Sequence, residues 1–164
     1  MHESPAIKVV YEDDYLVVAN KPSGLLIVPT PKKETYTLTS ILNQQYKKNP
    51  NNIHLYPCHR LDRETSGLII YAKGKKIREL FMQQFKLRRV KKKYIALAQG
   101  RLGRSAGTIK NFICDNPLGA KRHRLKPKMA ITKYRVLKEC ENFSVVEVLP
   151  ITGRTNQIRI HFQQ

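Results

Sequence analysis

The sequence predicts an α+β fold with a mixed, mostly antiparallel central sheet and flanking helices. Apolar residues lie mainly in short runs rich in Val, Ile and Tyr, which are typical of strands, and only two or three segments repeat apolar residues at helical spacing. Many strands with so few helices favour antiparallel pairing. No internal repeat or long linker divides the 164 residues, so a single domain spanning 1–164 is expected.

The first third of the chain predicts a hairpin followed by a helix. The runs Ile7–Tyr11 and Tyr15–Asn20 are separated by three acidic residues, and Leu25–Val28 continues the predicted sheet after the turn NKPSG. Between Thr37 and Lys48, apolar residues recur three and four positions apart. This spacing predicts a helix with Thr37 as its N-cap and the loop NPNN as its end.

The remaining elements show the same two kinds of pattern, apolar runs typical of strands and apolar residues at helical spacing. GLIIYAK predicts a buried strand, and an amphipathic helix of about three turns begins near Lys75. KKYIALAQG predicts another strand, and TKYRVLKEC with FSVVEVLP predicts a hairpin. The final stretch TGRTNQIRIHFQQ fits either a strand, with Ile158, Ile160 and Phe162 at period two, or a helix capped by Thr155.

The charge of the chain favours a polyanionic partner. Lys and Arg number 31 against 12 Asp and Glu, which gives a formal net charge of +19. Two basic runs, KLRRVKKK at 86–93 and KRHRLKPK at 121–128, have no acidic residue within them. Nucleic acid is therefore the expected partner, bound through phosphate contacts. No segment reaches the ~18 consecutive apolar residues of a membrane-spanning helix, so no membrane association is expected.

Other chemistries have weaker support in the sequence. The N-terminus meets acidic residues before it could form a signal-peptide core, and no Walker-type loop or G-x-S-x-G motif is present. The cysteines include no C-x-x-C pair and the histidines lack regular ligand spacing, so we expect reduced thiols, a cytoplasmic location and no metal or other cofactor. The residues concerned are the three cysteines, Cys58, Cys114 and Cys140, and three of the five histidines, His54, His59 and His161.

The stretch HRLDRETSG, residues 59–67, places Asp62 between Arg60 and Arg63. A carboxylate that acts as a nucleophile must be ionised, and a nearby cation favours that form even in a buried site. The same pattern serves an ion-paired surface turn or a buried structural pair equally well. Spacing alone therefore leaves the role of Asp62 open.

Five segments together resemble the RluA-type pseudouridine synthases, which isomerise specific uridines in ribosomal or transfer RNA. They are YEDDYLVVANKPSGLLIVP, HRLDRETSGLIIYAKG, KKKYIALAQG, KPKMAITKYRVL and LPITGRTNQIRIHF, in the family's order and approximate spacing. The resemblance covers nearly the whole chain. It implies the pseudouridine synthase catalytic fold, isomerase activity without a cofactor, and a monomer that binds RNA.

The resemblance also implies roles for individual residues. Asp62 matches the catalytic aspartate and Tyr94 the active-site tyrosine that lies against the flipped uracil. Arg159 matches the arginine paired with the aspartate, and Arg60 matches the arginine that enters the RNA stack where the target base has left. Further RNA contacts are expected from Arg63, Lys91, Lys92, Arg154 and Ile158.

The chain departs from the family's pattern in three places. Asn156 stands where the family commonly has His. Relatives continue past the position of Gln164 with a G-x-P-x-x-G-D-type segment, so the domain is expected to lack its C-terminal part. Many relatives also carry a small N-terminal RNA-binding module that this chain is expected to lack.

Two rival functions follow from these observations. The first is a non-catalytic, basic RNA-binding protein on the same fold. The second is an acid/base nuclease or glycosidase, which needs a second carboxylate near the first. Glu64 is the nearby candidate in the sequence.

Overall fold

The computed structural model describes residues 6–47, 53–114 and 126–163. The chain divides into two compact units, Met1–Leu87 and Arg88–Gln164, and each contains a four-stranded antiparallel sheet. Antiparallel sheets with flanking helices confirm the α+β class. The expectation of one catalytic domain over 1–164 stays a prediction.

In the first unit the strand order is β1-β2-β4-β3, and every neighbouring pair is antiparallel. Its core is formed by side chains that alternate along β2 and β4 and by the inner face of α1, as the period-two and period-3.6 patterns predict. The elements are β1 Val9–Glu12, β2 Leu16–Lys21, α1 Leu38–Lys47, β3 Leu55–Pro57, β4 Gly67–Lys73 and α2 Lys75–Lys86.

Helix α1 begins at a capping box. The Thr37 hydroxyl accepts a hydrogen bond from the Ser40 amide at 3.2 Å, and the Ser40 hydroxyl accepts one from the Thr37 amide at 2.9 Å. The predicted N-cap at Thr37 is confirmed. The predicted end of the helix at NPNN, residues 49–52, lies outside the described residues.

Leu25–Val28 is not a strand, contrary to the prediction from its apolar side chains. The carbonyls of Leu26 and Ile27 accept hydrogen bonds from Leu38 and Thr39 at the start of α1, at 2.7 and 3.1 Å. The segment is therefore apolar because Leu25 and Ile27 are buried in the core, while its backbone is paired with a helix terminus.

The second unit has the strand order β5-β8-β7-β6 and ends in a short helix. The predicted strand at KKYIALAQG and the predicted hairpin of β7 and β8 are confirmed. The sequence did not predict β6. The elements are β5 Tyr94–Gln99, β6 Ala106–Ile113, β7 Lys128–Glu139, β8 Phe143–Pro150 and α3 Gln157–Phe162.

The final stretch, which fitted two structures, forms the helix α3. Its N-cap residue is Asn156, in the left-handed conformation with φ 54° and no side-chain capping bond, so the predicted cap at Thr155 is wrong. Asparagine tolerates this conformation better than most residues because its short polar side chain can bond locally.

Candidate active site

The loop that carries Asp62 joins β3 to β4 in the first unit, and its first residues are fixed to β4. The Cys58 amide donates to the Ile70 carbonyl at 2.9 Å, and the Ile70 amide donates to Nε2 of His59 at 3.1 Å. The His59 ring also lies against Phe85 of α2, with ring centroids 4.7 Å apart. The approach to Asp62 is thus anchored by both backbone and side-chain contacts.

The residues after Asp62 are fixed to the turn that follows β2. The Lys21 ammonium and the Gly24 amide both donate to the Arg63 carbonyl, at 2.7 and 3.0 Å. The Ser23 hydroxyl donates to the Glu64 carbonyl at 2.8 Å. Three bonds thus hold the backbone of the two residues that follow Asp62.

A tight turn completes this loop. The Thr65 amide donates to the Asp62 carbonyl at 3.1 Å, and Gly67 then enters β4 with φ 125°, a conformation that strongly favours glycine. This is the structural use of the T-S-G sequence. Asp62 itself is half-buried.

Lys21 is fully buried beneath this loop. Its ammonium donates to the carbonyls of Pro22 and Leu25 as well as Arg63, at 2.9, 2.7 and 2.7 Å. Burial lowers the pKa of Lys21, and the negative charges of Glu64 and Asp62 act in the opposite direction.

The two arginines that flank Asp62 are both exposed. Arg63 lies 3.7 Å from Glu34, with 52% of its side chain accessible, so this ion pair contributes little to stability. Arg60 is exposed as well. Both guanidinium groups are therefore accessible to a polyanion.

Tyr94 and Ile158 of the second unit pack against one cluster. Tyr94 is the first residue of β5 and is paired with Val148 on β8. Its half-buried ring lies beside the buried Val146 and Val148, and Ile158 of α3 packs on the same cluster. Two of the predicted site residues of this unit therefore pack against the same apolar cluster.

The start of α3 is held by a buried hydrogen-bond network centred on Gln157. Its side-chain oxygen accepts bonds from the Thr152 hydroxyl at 2.7 Å and the Arg154 amide at 3.0 Å. Its side-chain amide donates to the Ile131 carbonyl at 3.1 Å and to the Thr132 hydroxyl at 2.8 Å. All four hydrogen-bonding positions of the amide group are satisfied, so the residue fixes where α3 begins.

The two arginines of TGRTNQIR have different surroundings. Arg159 lies in the first turn of α3 and is exposed. Arg154 is half-buried, and its Nε and Nη2 both donate to the Met129 carbonyl at 3.3 Å. Part of the hydrogen-bonding capacity of Arg154 is therefore used to hold the loop to β7.

Lys91 and Lys92 also differ. Lys91 is exposed, whereas Lys92 is partly buried and donates to the Thr152 carbonyl at 3.2 Å. Burial and the neighbouring charge of Arg88 both lower the pKa of Lys92. Of the second predicted basic run, residues 121–125 lie outside the described part of the chain.

Sequence reasoning missed Lys21, Thr152 and Gln157 as residues that shape the candidate site. Lys21 stands in the turn NKPSG and Gln157 within TGRTNQIR, so both occur in quoted motifs without a predicted role.

A further buried group, His161, has no hydrogen-bond partner on either ring nitrogen among the described residues, and burial lowers its pKa.

The described ranges contain no group of three or more His, Cys, Asp or Glu side chains placed to hold a metal ion. Within residues 6–47, 53–114 and 126–163, no helix is both long and apolar enough to cross a membrane.

The site residues and the sequence around them define the class of protein. Residues 15–164 match the RNA pseudouridylate synthase family, and the chain belongs to that family. Among curated relatives, it is 37% identical to the dual-specificity RNA pseudouridine synthase RluA of Vibrio cholerae, covering 98% of this chain and 65% of the relative. It is 34% identical to the ribosomal large subunit pseudouridine synthase D of Borreliella burgdorferi, covering 96% of this chain and 51% of that protein.

A solved structure agrees with this assignment. Human RNA pseudouridylate synthase domain containing 4 superposes with a TM-score of 0.79 at 29% identity, covering 93% of this chain and 62% of that one. The chain therefore spans about half to two thirds of the length of these relatives.

Proposed function

We propose that the chain is an RNA pseudouridine synthase that isomerises specific uridines in ribosomal or transfer RNA without a cofactor. The observation that carries this proposal is the Asp62 loop. A member of this family presents a carboxylate on a loop whose backbone is anchored on both sides of it, above a buried ammonium.

The reaction replaces the N1–C1′ bond of uridine by a C5–C1′ bond. N1 gains a proton and C5 loses one to solvent, so atoms and electrons balance without an oxidant or reductant. One ionised carboxylate that acts as a nucleophile on the nucleoside supplies the necessary chemistry, and we assign this role to Asp62. Tyr94 and Arg159 are the proposed partners in catalysis, the tyrosine through proton transfer and the arginine through its charge.

The target base must leave its stack before a protein carboxylate can reach it. Extrusion costs a few kcal/mol, which phosphate contacts and an inserted side chain offset. The exposed guanidinium groups of Arg60 and Arg63 suit these two tasks, with Arg60 entering the vacated stack. Lys91 and Arg154 are proposed phosphate contacts, and Ile158 is proposed to form part of the pocket wall.

The direct test uses RNA labelled with tritium at C5 of uridine. Isomerisation releases the label to water, so the chain incubated with total RNA is expected to release tritium in proportion to the pseudouridine formed. Binding of RNA without release would identify the non-catalytic RNA-binding alternative. Strand cleavage or free uracil would instead indicate a nuclease or glycosidase.

Arg159→Ala tests the proposed division between catalysis and binding. We expect single-turnover tritium release to fall roughly 100-fold, as for loss of one charged group from an active site, while RNA affinity changes far less. Arg101→Ala removes the same charge from an exposed position of the same unit and serves as the control. An unchanged rate for Arg159→Ala would refute the catalytic role of this arginine.

A further inference from the structure

Lys92 makes contacts that a simple phosphate-binding lysine does not need. It lies two residues before the start of β5, and its ammonium donates to the Thr152 carbonyl at 3.2 Å. A β carbon built on Gly153 would lie 3.2 Å from the same ammonium. The lysine is therefore packed against the backbone of 152–153, in the loop that leads to α3.

This loop is connected to α3 through buried groups. Thr152 is buried, and its hydroxyl accepts from the Ile131 amide at 2.8 Å and donates to Gln157 at 2.7 Å. Gln157 in turn accepts from the Arg154 amide at 3.0 Å. A displacement of the Thr152 backbone would therefore be transmitted directly to the first residue of the helix.

Helix α3 depends on this support. It has six residues, Gln157–Phe162, and a helix of this length is unstable alone because nucleation is costly. Its N-cap makes no side-chain capping bond. The position of Arg159, in the first turn, is thus set by the network around Gln157 and Thr152.

The surroundings of Lys92 suit this internal role better than an RNA contact. Its side chain is partly buried, whereas Lys91 and Lys93 on either side are exposed. Burial and the charge of Arg88 both disfavour its charged form. An exposed lysine such as Lys91 can reach phosphate without leaving an internal bond.

We propose that Lys92 is a positioning residue that fixes the 152–157 loop through the Thr152 carbonyl and so sets the place of Arg159, rather than a phosphate contact. This inference rests on the proposed function for its effect on catalysis. Its effect on the loop itself does not depend on activity.

The test compares Lys92→Met with Lys91→Met in the full chain. Methionine keeps most of the stem length and removes the ammonium. For Lys92→Met we expect single-turnover tritium release at saturating RNA to fall roughly 10- to 100-fold, because small misplacements of catalytic groups cost this much. The log–log salt slope of RNA affinity should stay within roughly 0.2 of the wild-type value. Lys91→Met should lower that slope by about 0.7 to 0.9, the value for one lost phosphate contact.

Hydrogen exchange supplies a readout that is independent of activity. The amides of Arg154 and Gln157 are bonded within the loop, so Lys92→Met should speed their exchange at least about tenfold. Lys138→Met, which removes an exposed lysine at the end of β7, should leave both exchange and tritium release unchanged.

Gly153→Ala is a second variant in case Lys92→Met folds poorly. It places a methyl group 3.2 Å from the ammonium, so the ammonium must shift by a few tenths of an ångström while the charge remains. We expect slower tritium release, faster exchange in 152–157 and an unchanged salt slope. A salt slope lowered by about one unit in Lys92→Met, or unchanged exchange in 152–157 in both variants, would overturn the proposal. Failure of the wild-type chain to release tritium would refute the proposed function and leave the exchange result to decide the role of Lys92.

Discussion

Replacing Lys21 with methionine should destabilise the first unit substantially. The ammonium of this fully buried residue is the shared donor to the carbonyls of Pro22, Leu25 and Arg63. Methionine fills the space of the aliphatic stem but donates nothing. The variant therefore isolates the contribution of the three hydrogen bonds from that of packing.

The expected cost follows from these contacts. Hydrogen bonds from a charged donor contribute about 1.5 to 3 kcal/mol each, but removing a buried ammonium also recovers several kcal/mol of desolvation. The Arg63 carbonyl keeps the bond from the Gly24 amide at 3.0 Å, so it is not left unpaired. We expect a net loss of about 2 to 4 kcal/mol in the free energy of unfolding.

Urea denaturation followed by circular dichroism measures this loss. Lys8→Met is the matched control, because Lys8 is exposed and its removal should change the free energy of unfolding by less than about 0.5 kcal/mol. If Lys21→Met costs less than about 1 kcal/mol, the ammonium does not hold the Asp62 loop as the contacts indicate.

Three further predictions concern other parts of the two units. Burial pushes the pKa of Glu12 up, but its bonds from Lys73 and Tyr46 outweigh burial and lower it. The stability that Glu12 contributes is therefore present above about pH 4.3 and is lost as the pH falls further. In urea titrations, the free energy of unfolding of Glu12→Gln should fall less steeply than that of the wild-type chain between about pH 5 and 3. Equal slopes for the two proteins would contradict this. Burial raises the pKa of Cys58 to about 11, with a smaller opposing effect of Arg78. At pH 8 the alkylation of Cys58, measured by mass spectrometry, should therefore be at least about 100-fold slower than that of the exposed Cys114. Comparable rates would show that the Cys58 thiol is not buried. Gln157→Leu removes four hydrogen bonds, although the Ile131 carbonyl keeps the bond from the Ile151 amide and the Thr152 hydroxyl keeps the one from the Ile131 amide. The variant should cost the second unit about 2 to 4 kcal/mol in urea denaturation, whereas a cost below about 1 kcal/mol would mean that the network does not fix α3.

The sequence predicted the regular elements well where local pattern and burial agree. The hairpin of β1 and β2 and the strand β4 have clear apolar alternation or a continuous apolar run between turn residues. β6 was missed because Thr108, Lys110 and Asn111 interrupt its apolar residues. A strand with so few apolar side chains gives little periodic signal.

The errors have a common physical origin in tertiary contacts. Leu25–Val28 has strand-like side chains, yet its carbonyls pair with the start of α1. The terminal stretch fitted both the strand period and the helix period. In the structure it is helical, and the side chain of Gln157 at the start of the helix is hydrogen-bonded to β7. Lys21 could not be recognised as buried, because lysine is normally exposed and one of its three carbonyl acceptors, that of Arg63, lies 42 residues away in the sequence.

The candidate site was predicted through motifs and not through periodicity. HRLDRETSG indicated an important carboxylate but not how it is held, since the anchoring groups at Ser23, Gly24 and Ile70 lie elsewhere in the sequence. Residue type alone also could not separate Lys91 from Lys92. The difference between these two lysines is one of burial.

The most direct measurement is tritium release from C5-labelled RNA by Asp62→Asn. The amide keeps the size of the side chain and removes the nucleophilic charge, so release should fall to background while RNA affinity stays within about twofold of wild type. Asp14→Asn makes the same chemical change at an exposed position and should release tritium normally. Release by Asp62→Asn at a rate close to that of the wild-type chain would contradict the assignment of Asp62 as the nucleophile.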